Sequence, residues 1–153
     1  MINYWNKNKN IIDELIKNEI KDGLKLMNRD GFYPTTFAYP YGAHNGLYDE
    51  MLLRYFKSVR ALNGTADFSK SLTVTEKNTI LYGLDIDKSG KRADTDILEL
   101  IQSAANNQNC AVLVAHDINN GKPLSVSREL LQKIINKVKN LDLKYYTVSE
   151  ISN

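Results

Sequence analysis

Apolar residues recur three or four positions apart in four stretches of the chain. This spacing is typical of amphipathic helices that bury one side. Glycine or a pair of asparagines follows the end of some of these stretches, as is common where a helix stops. Short polar residues precede others, at positions where N-terminal caps are expected. The predicted helices are 11–28, stopped by Gly31; 47–57, with Tyr55 inward; one from a cap at Asp94 or Thr95 to Asn106; and one from a cap at Ser125 or Ser127 through Val138.

Short apolar runs separate the helices and are bounded by glycine, proline or asparagine. The run 110–115 is continuously apolar, as in strands that are buried on both faces of a parallel sheet. Residues 65–79 are polar and are predicted to form a loop with one short element. Alternation of helices with strands predicts βαβ units, and therefore an α/β fold with mainly parallel strands. The predicted strands are 36–39, 58–62, 79–84, 110–115 and 143–147, followed by a closing turn at 148–151.

Composition and charge are those of an ordinary globular domain. The chain has 153 residues, of which 42% are hydrophobic, and its length suits one domain. The net charge of +2 and the interleaved acidic and basic residues argue against a nucleic-acid partner. No apolar run approaches the length of a membrane span, and residues 1–7 lack the core of a signal peptide. The single cysteine, Cys110, cannot form an internal disulfide, so the compartment stays open.

Polar residues follow two of the predicted strands directly. The carboxyl ends of parallel strands in α/β folds are where functional residues gather. One group, residues 39–44, reads Tyr-Pro-Tyr-Gly-Ala-His at the end of the first strand, and His116-Asp117 follows the run 110–115. These two groups are the candidate functional residues.

The two motifs carry a resemblance to a known family. Residues 37–42, Phe-Ala-Tyr-Pro-Tyr-Gly, are similar to the Pro-Tyr-Gly motif of the NodB-homology polysaccharide deacetylases. Residues 113–117, Leu-Val-Ala-His-Asp, resemble that family's late Leu-x-x-His-Asp strand end, and the tail 146–151 resembles its closing strand and turn. The resemblance covers the second half of the family's domain. It implies that 1–153 forms the C-terminal part of a distorted (β/α)7-type barrel.

Family membership would imply metal-assisted hydrolysis of N-acetyl groups on a polysaccharide. A divalent metal, zinc or a similar ion, polarises the acetyl carbonyl and activates water. By resemblance, His116 donates a proton to the leaving amine, a task that suits a side chain with a pKa near neutral pH. Asp85 or Asp87 would tune this histidine.

The resemblance also suggests a substrate-binding side. The backbone N–H of Tyr41 would help to hold the oxyanion. Leu113 would line a pocket for the acetyl methyl group. Pro40 and Tyr39, at the start of the same motif, would contact the sugar.

Two features depart from the family. The paired aspartates and the His-x-x-x-His motif that supply the base and the metal ligands are absent, since the chain has only His44 and His116. Ala38 stands where the family often has an arginine that orients the base. We therefore expect a partial domain that lacks the N-terminal metal-binding strands, holds no complete metal site and is inactive alone.

Several biological states fit this expectation. The chain is a fragment of an active enzyme, a truncated gene product, or a half-barrel that a second chain completes. A non-catalytic module that binds carbohydrate or a partner, built on the remnant barrel, is the alternative from another class. An unclosed barrel exposes a sheet edge, which favours self-association or a chain that supplies the missing strands. Family members mostly work at the cell envelope or outside the cell.

Overall fold

A computed structural model describes residues 10–65, 67–73, 79–118 and 121–152. The chain divides into two compact units, Met1–Pro34 and Thr35–Asn153. The described part of the first unit is helical from residue 10, with a π-helical segment, Ile16–Lys21, followed by α1, Asp22–Arg29. Gly31, with φ of 87°, ends it, and the N–H of Phe32 donates back to the carbonyl oxygen of Met27 at 2.9 Å. The helix predicted over 11–28 and its stop are confirmed.

In the second unit the described residues form six strands, of which four make a parallel sheet. Within that sheet the order is β1-β2-β4-β6, so β1 and β6 are its outermost strands among the described residues. The strands β3 and β5 pair with each other in antiparallel fashion. The α/β fold with mainly parallel strands is thus observed, and the sheet is curled like part of a barrel. The strands are β1 Thr36–Ala38, β2 Ser58–Leu62, β3 Leu72–Thr73, β4 Thr79–Asp85, β5 Cys110–Ala111 and β6 Leu113–Val114.

Four helices accompany these strands: α2 Gly46–Leu52, α3 Asp94–Asn107, α4 Arg128–Asn140 and α5 Val148–Ile151. Asn45 and Ser127 cap α2 and α4 through side-chain oxygens that accept backbone hydrogen bonds. Thr147 and Glu150 form a capping box at α5. The loop predicted over 65–79 with one short element contains two such elements in its described part, the 3₁₀ turn Phe68–Ser71 and β3, while residues 66 and 74–78 lie outside the described residues.

Two helix predictions are wrong in detail. The second helix ends at Leu52 rather than 57, and Tyr55, which was expected inward, is partly exposed. The N-cap of α3 is Ala93, without a side-chain hydrogen bond, rather than Asp94 or Thr95. Asp94 instead binds the ammonium group of Lys133 at 2.7 Å, so its carboxylate links α3 to α4.

Two strand predictions are also wrong. The run 110–115 is not one strand, because at Val112 the chain changes partner. The N–H of Val112 donates to Ser71 at 3.1 Å and its carbonyl accepts from Leu84 at 2.8 Å. β5 therefore pairs with β3 and β6 pairs with β4. Residues 143–147 form no strand, since the N–H of Leu143 bonds back to Val138 in α4.

The main core lies between the sheet and the helices α3 and α4. Leu84 and Leu113 are in register on neighbouring strands, and both pack on this side of the sheet. Residues that face the same core from α3 and α4 recur at helical spacing, as the sequence predicted. The buried members of this core are Leu84, Ile86, Ile97, Leu100, Ile101, Val126, Leu130, Ile134 and Val138.

The opposite side of the sheet is called the inner face below. Side chains alternate between the two faces along each strand, and residues in register share a face. The register pairs Arg60 with Leu81, Leu62 with Gly83, and Asp85 with Val114. The inner face therefore carries Arg60, Leu62, Leu81, Gly83, Asp85 and Val114.

The C-terminal segment covers the amino end of the inner face. Ile151 packs with Leu81 and Val112, and the hydroxyl of Ser152 donates to that of Ser58 at 2.7 Å. The carboxyl end of the inner face is not part of this contact. None of the helices that the structure describes is both long and apolar enough to span a membrane.

Candidate functional site

Both sequence motifs follow strands of the same parallel sheet at the same end. The 3₁₀ turn Pro40–Gly42 follows β1, and His116 follows β6. Asp87 lies two residues beyond the end of β4, the neighbour of β6. Because all four strands run parallel, these residues gather at the carboxyl edge of the sheet. The turn and His116 lie at opposite sides of that edge, with β2 and β4 between them.

Asp87 and His116 form a close polar contact at this edge. Oδ2 of Asp87 lies 2.6 Å from Nδ1 of His116, and Oδ1 accepts the backbone N–H of the same histidine at 3.4 Å. Asp87 is 3% exposed, whereas the His116 side chain is 52% exposed. The sequence left Asp85 and Asp87 as alternatives, and the structure brings Asp87 to the histidine. The carboxylate of Asp85 accepts a hydrogen bond from the backbone N–H of Asp87 at 2.9 Å and so helps to fix the backbone of Asp87.

The contact with Asp87 determines what the imidazole can do. An ionised carboxylate can only accept hydrogen bonds, so Nδ1 of His116 carries a proton when Asp87 is ionised. Nε2 then lies on the side of the ring away from the buried carboxylate. A half-exposed imidazole that is held through Nδ1 can exchange a proton with a ligand at Nε2.

The turn after β1 has an unusual backbone. Tyr41 has φ of 56° and ψ of 8°, a left-handed conformation that is unfavourable for a residue with a Cβ. Gly42 follows with φ of 68°, and a Cβ there would overlap the side chain of Leu62. The N–H groups of Gly42 and Ala43 close the turn, so its internal hydrogen bonds do not use the N–H of Tyr41. The Tyr41 side chain is 97% exposed.

Tyr39 belongs to a second carboxylate–imidazole network that the sequence did not predict. Its hydroxyl donates to Oδ1 of buried Asp49 at 2.7 Å, and Oδ2 of Asp49 lies 2.9 Å from Nδ1 of His44. Burial, and then the hydrogen bond to Asp49, raise the pKa of Tyr39 well above its usual value. The His44 ring also packs against Tyr82, with 5.3 Å between ring centroids. The Tyr39 hydroxyl is thus directed at Asp49.

Pro40 and Leu113, both predicted to bind substrate, lie on different parts of the molecule. Pro40 opens the exposed turn after β1. Leu113 is partly buried against the core on the helix side of the sheet, so the structure does not bring it to the inner face. Val114 is the residue of β6 that lies there. Leu113 also lines a cavity of about 750 Å³ between β5–β6, the helices α3 and α4 and the C-terminal segment, which the sequence did not predict.

The described residues do not fit a complete metal site. In these parts of the chain no group of three or more histidine, cysteine, aspartate or glutamate side chains is placed to hold a metal ion. Each imidazole has a carboxylate partner of its own, Asp87 for His116 and Asp49 for His44. Burial raises the pKa of the Cys110 thiol, which disfavours the thiolate that binds metals.

Comparison with known proteins gives no relative. No protein-family model, curated protein or solved structure matches this sequence.

Proposed function

We propose that this chain is the C-terminal part of a metal-dependent polysaccharide N-deacetylase domain of the NodB type, arranged as part of a distorted (β/α)7 barrel. The observation that carries the proposal is the contact between Asp87 and His116 at the carboxyl edge of a parallel sheet. The turn at Tyr41 supports it, because it lies at the same edge with its N–H outside the turn's own hydrogen bonds.

Each residue of this edge has one step in the proposed reaction. When the amide is cleaved, Nε2 of doubly protonated His116 gives its proton to the departing sugar nitrogen, which leaves a neutral imidazole whose remaining proton is on Nδ1. Asp87 orients the ring through Nδ1 and holds it during the transfer. The N–H of Tyr41 donates a hydrogen bond to the oxygen that gains negative charge.

The proposal assigns the metal and the general base to a part of the domain outside this chain. The described residues lack a ligand set, and the sequence lacks the paired aspartates and the His-x-x-x-His motif. The chain alone should therefore bind no zinc tightly at a specific site, because a catalytic zinc usually has three protein ligands. It should release no acetate from chitin oligomers at a useful rate, since proton donation alone typically gives about 10²–10⁴-fold acceleration.

A chimera tests the proposal. The N-terminal half of a complete deacetylase, with its aspartate pair and histidine motif, is fused in front of this chain, and folding is verified by near-UV circular dichroism. Zinc-loaded chimera should release acetate from chitin oligomers, and His116→Ala should lower kcat by about 10²-fold or more. His44→Ala is the control, because His44 contacts Asp49 rather than Asp87. A folded chimera without turnover, or one that His116→Ala leaves fully active, contradicts the proposal.

A non-catalytic carbohydrate-binding module is the second candidate, and the exposure of Tyr41 favours it. A tyrosine ring that is 97% exposed on a strained turn is available for stacking on a sugar. Under this alternative the chain alone binds chitin oligomers without metal, and Tyr41→Ala abolishes the binding while His116→Ala does not. Calorimetric titration of both variants distinguishes the two functions.

A further inference from the structure

Asp49 is a buried acidic residue of α2 that has no step in the proposed reaction. It is 3% exposed, and among the described residues no lysine or arginine pairs with its carboxylate. A buried carboxylate is unfavourable unless hydrogen bonds satisfy its oxygens. Here Oδ1 accepts the Tyr39 hydroxyl at 2.7 Å, and Oδ2 lies 2.9 Å from Nδ1 of His44.

Tyr39 connects Asp49 to the start of the turn Pro40–Gly42. The carbonyl oxygen of Tyr39 accepts the N–H of Gly42 at 3.0 Å, a bond that closes the turn. The N–H of Tyr39 donates to the carbonyl oxygen of Arg60 on β2, also at 3.0 Å. The backbone of Tyr39 is thus bonded to the turn and to the sheet, while its side chain is bonded to α2.

The turn is strained, so its conformation depends on the structure around it. Tyr41 is left-handed, with φ of 56°. A residue with a Cβ keeps such a conformation only when its surroundings hold it there. The N–H of Ala43 donates to the carbonyl oxygen of Pro40 at 3.4 Å, which is long for a hydrogen bond. Contacts outside the turn must therefore help to hold it.

Asp49 acts on the turn from the side of the sheet opposite to the inner face. Ala38 is in register with Arg60 and shares the inner face with it. Because side chains alternate along a strand, the Tyr39 side chain points to the opposite side, where it meets Asp49. A residue that is 3% exposed cannot touch a bound ligand. Asp49 can affect a ligand only through the position of the turn.

We infer that Asp49 is a positioning residue for the backbone N–H of Tyr41, which it holds in place through its hydrogen bond to Tyr39. This inference rests on the proposed deacetylation, in which that N–H stabilises the oxyanion. A donor that is already in place stabilises the charge that develops in the transition state, so a looser donor lowers kcat more than it changes KM. His44 satisfies the second oxygen of Asp49, and His44→Ala leaves the bond to Tyr39 in place.

NMR of the full chain tests the hold on Tyr41 without any turnover. Nitrogen-15 relaxation gives the order parameter of the Tyr41 N–H, and a strong cross-peak between its HN and Hα protons reports the positive φ. The order parameter should be about 0.85 in the wild type, as in rigid backbone. Tyr39→Phe deletes only the hydroxyl, and Asp49→Leu deletes the carboxylate but fills its space. Both should lower the order parameter toward about 0.6 and weaken the cross-peak.

Two further variants separate the hydrogen bonds from the fold of α2. Asp49→Asn should keep the order of Tyr41, because an amide can accept from the Tyr39 hydroxyl and donate to neutral His44. Glu50→Leu is the matched control, since Glu50 is the next residue of α2 and its exposed carboxylate binds Arg54 instead. Unchanged order in Tyr39→Phe and Asp49→Leu overturns the inference, as does an equal loss of order in Glu50→Leu or Asp49→Asn. If Asp49→Leu does not fold, Tyr39→Phe decides.

The zinc-loaded chimera connects this hold with catalysis. Asp49→Leu and Tyr39→Phe should each lower kcat about tenfold and leave KM nearly unchanged, which is less than the loss of an oxyanion donor outright. Asp49→Asn should restore kcat. A turn that loosens while kcat stays the same overturns the positioning role. An inactive wild-type chimera contradicts the deacetylase instead, while the order of Tyr41 in the chain alone still decides whether Asp49 holds it, so the two failures are distinguishable.

Discussion

Two histidines of this chain each contact a buried aspartate, and their exposure distinguishes them. Asp49 and Asp87 are both 3% exposed. The side chain of His44 is 25% exposed and packs on aromatic rings, whereas that of His116 is 52% exposed. A general acid must reach its ligand, so exposure favours His116 for chemistry, whereas His44 is bound by Asp49 and packs against Tyr39 and Tyr82.

Replacement of Asp87 by asparagine tests how the imidazole is held. In the wild type, the carboxylate fixes the proton of neutral His116 on Nδ1. In Asp87→Asn the amide can donate as well as accept, so the population with the proton on Nε2 should rise. Long-range ¹H–¹⁵N spectra measure this ratio, and Asp85→Asn is the control because Asp85 contacts the Asp87 backbone instead. Equal ratios in all three proteins would contradict the orienting role.

Because of Tyr39, the free energy of unfolding should change with pH in the alkaline range. Burial and the bond to Asp49 raise its pKa, so the unfolded chain loses this proton first, at about pH 10. The contribution of the Tyr39 hydroxyl to the free energy of unfolding is therefore complete below that pH. It is lost as the pH rises through the pKa that Tyr39 has in the folded chain. Tyr39→Phe should cost about 1–2 kcal/mol at neutral pH, and the difference from the wild type should shrink above pH 10.

Urea unfolding between pH 7 and 11 measures this difference. Tyr33→Phe is the control, because the Tyr33 side chain is 74% exposed. A Tyr39→Phe variant whose deficit stays constant across that range would show that the hydroxyl does not resist ionisation in the folded chain.

The sequence paired His116 with Asp85 or Asp87 but did not decide between the two aspartates. Asp85 and Asp87 are two residues apart beyond a strand, so side-chain alternation gives both the same direction. Only the path of the loop after β4 decides which one meets His116. Asp49 was missed because α2 is short, and a buried carboxylate in it has no periodic signature. Leu113 was expected in the site, but register with Leu84 directs it to the helix side.

At the scale of elements, helices were easier to predict than strand partners. Their apolar spacing is local, and every predicted helix is present, although α2 is shorter. Strand pairing depends on residues far away in the sequence. The run 110–115 reads as one strand, yet contacts from Ser71 and Leu84 divide it at Val112. The run 143–147 has strand-like composition but no pairing partner in the described structure.

The packing of α4 on the sheet can be tested with two substitutions on one helix. Leu130 is 6% exposed and belongs to the main core, whereas Ile135 is 36% exposed. Leu130→Ala should lower the free energy of unfolding by about 2–5 kcal/mol. Ile135→Ala removes the same number of carbon atoms and should cost about 1 kcal/mol or less. Equal losses in chemical denaturation would show that α4 does not bury the side assigned to it.

At the scale of the whole molecule, the parallel sheet does not close on itself within the described residues. β1 and β6 each pair with one neighbour only in that sheet. The C-terminal segment covers the amino end of the inner face through Ile151 and Ser152, a cover that the sequence did not predict. Among the described residues no further strand pairs with the outer edges of β1 and β6, and an unpaired strand edge favours pairing with another chain.

We therefore expect the isolated chain to associate, as a homodimer or with a chain that supplies further strands. Sedimentation velocity at micromolar concentration should show a species heavier than 17.4 kDa. A stable monomer that binds no hydrophobic dye would contradict this expectation and favour the carbohydrate-binding module.

The packing at Gly83 limits which substitutions can be accepted on the inner face during evolution. A Cβ at this position would overlap the Val114 side chain, whereas it would only touch the stem of Arg60. As relatives of this chain diverge, a side chain can appear at 83 only together with a smaller residue at 114. Substitutions at 83 and 114 should therefore covary among descendants. Lineages with a smaller residue at 114 should be the first in which Gly83 is free to change.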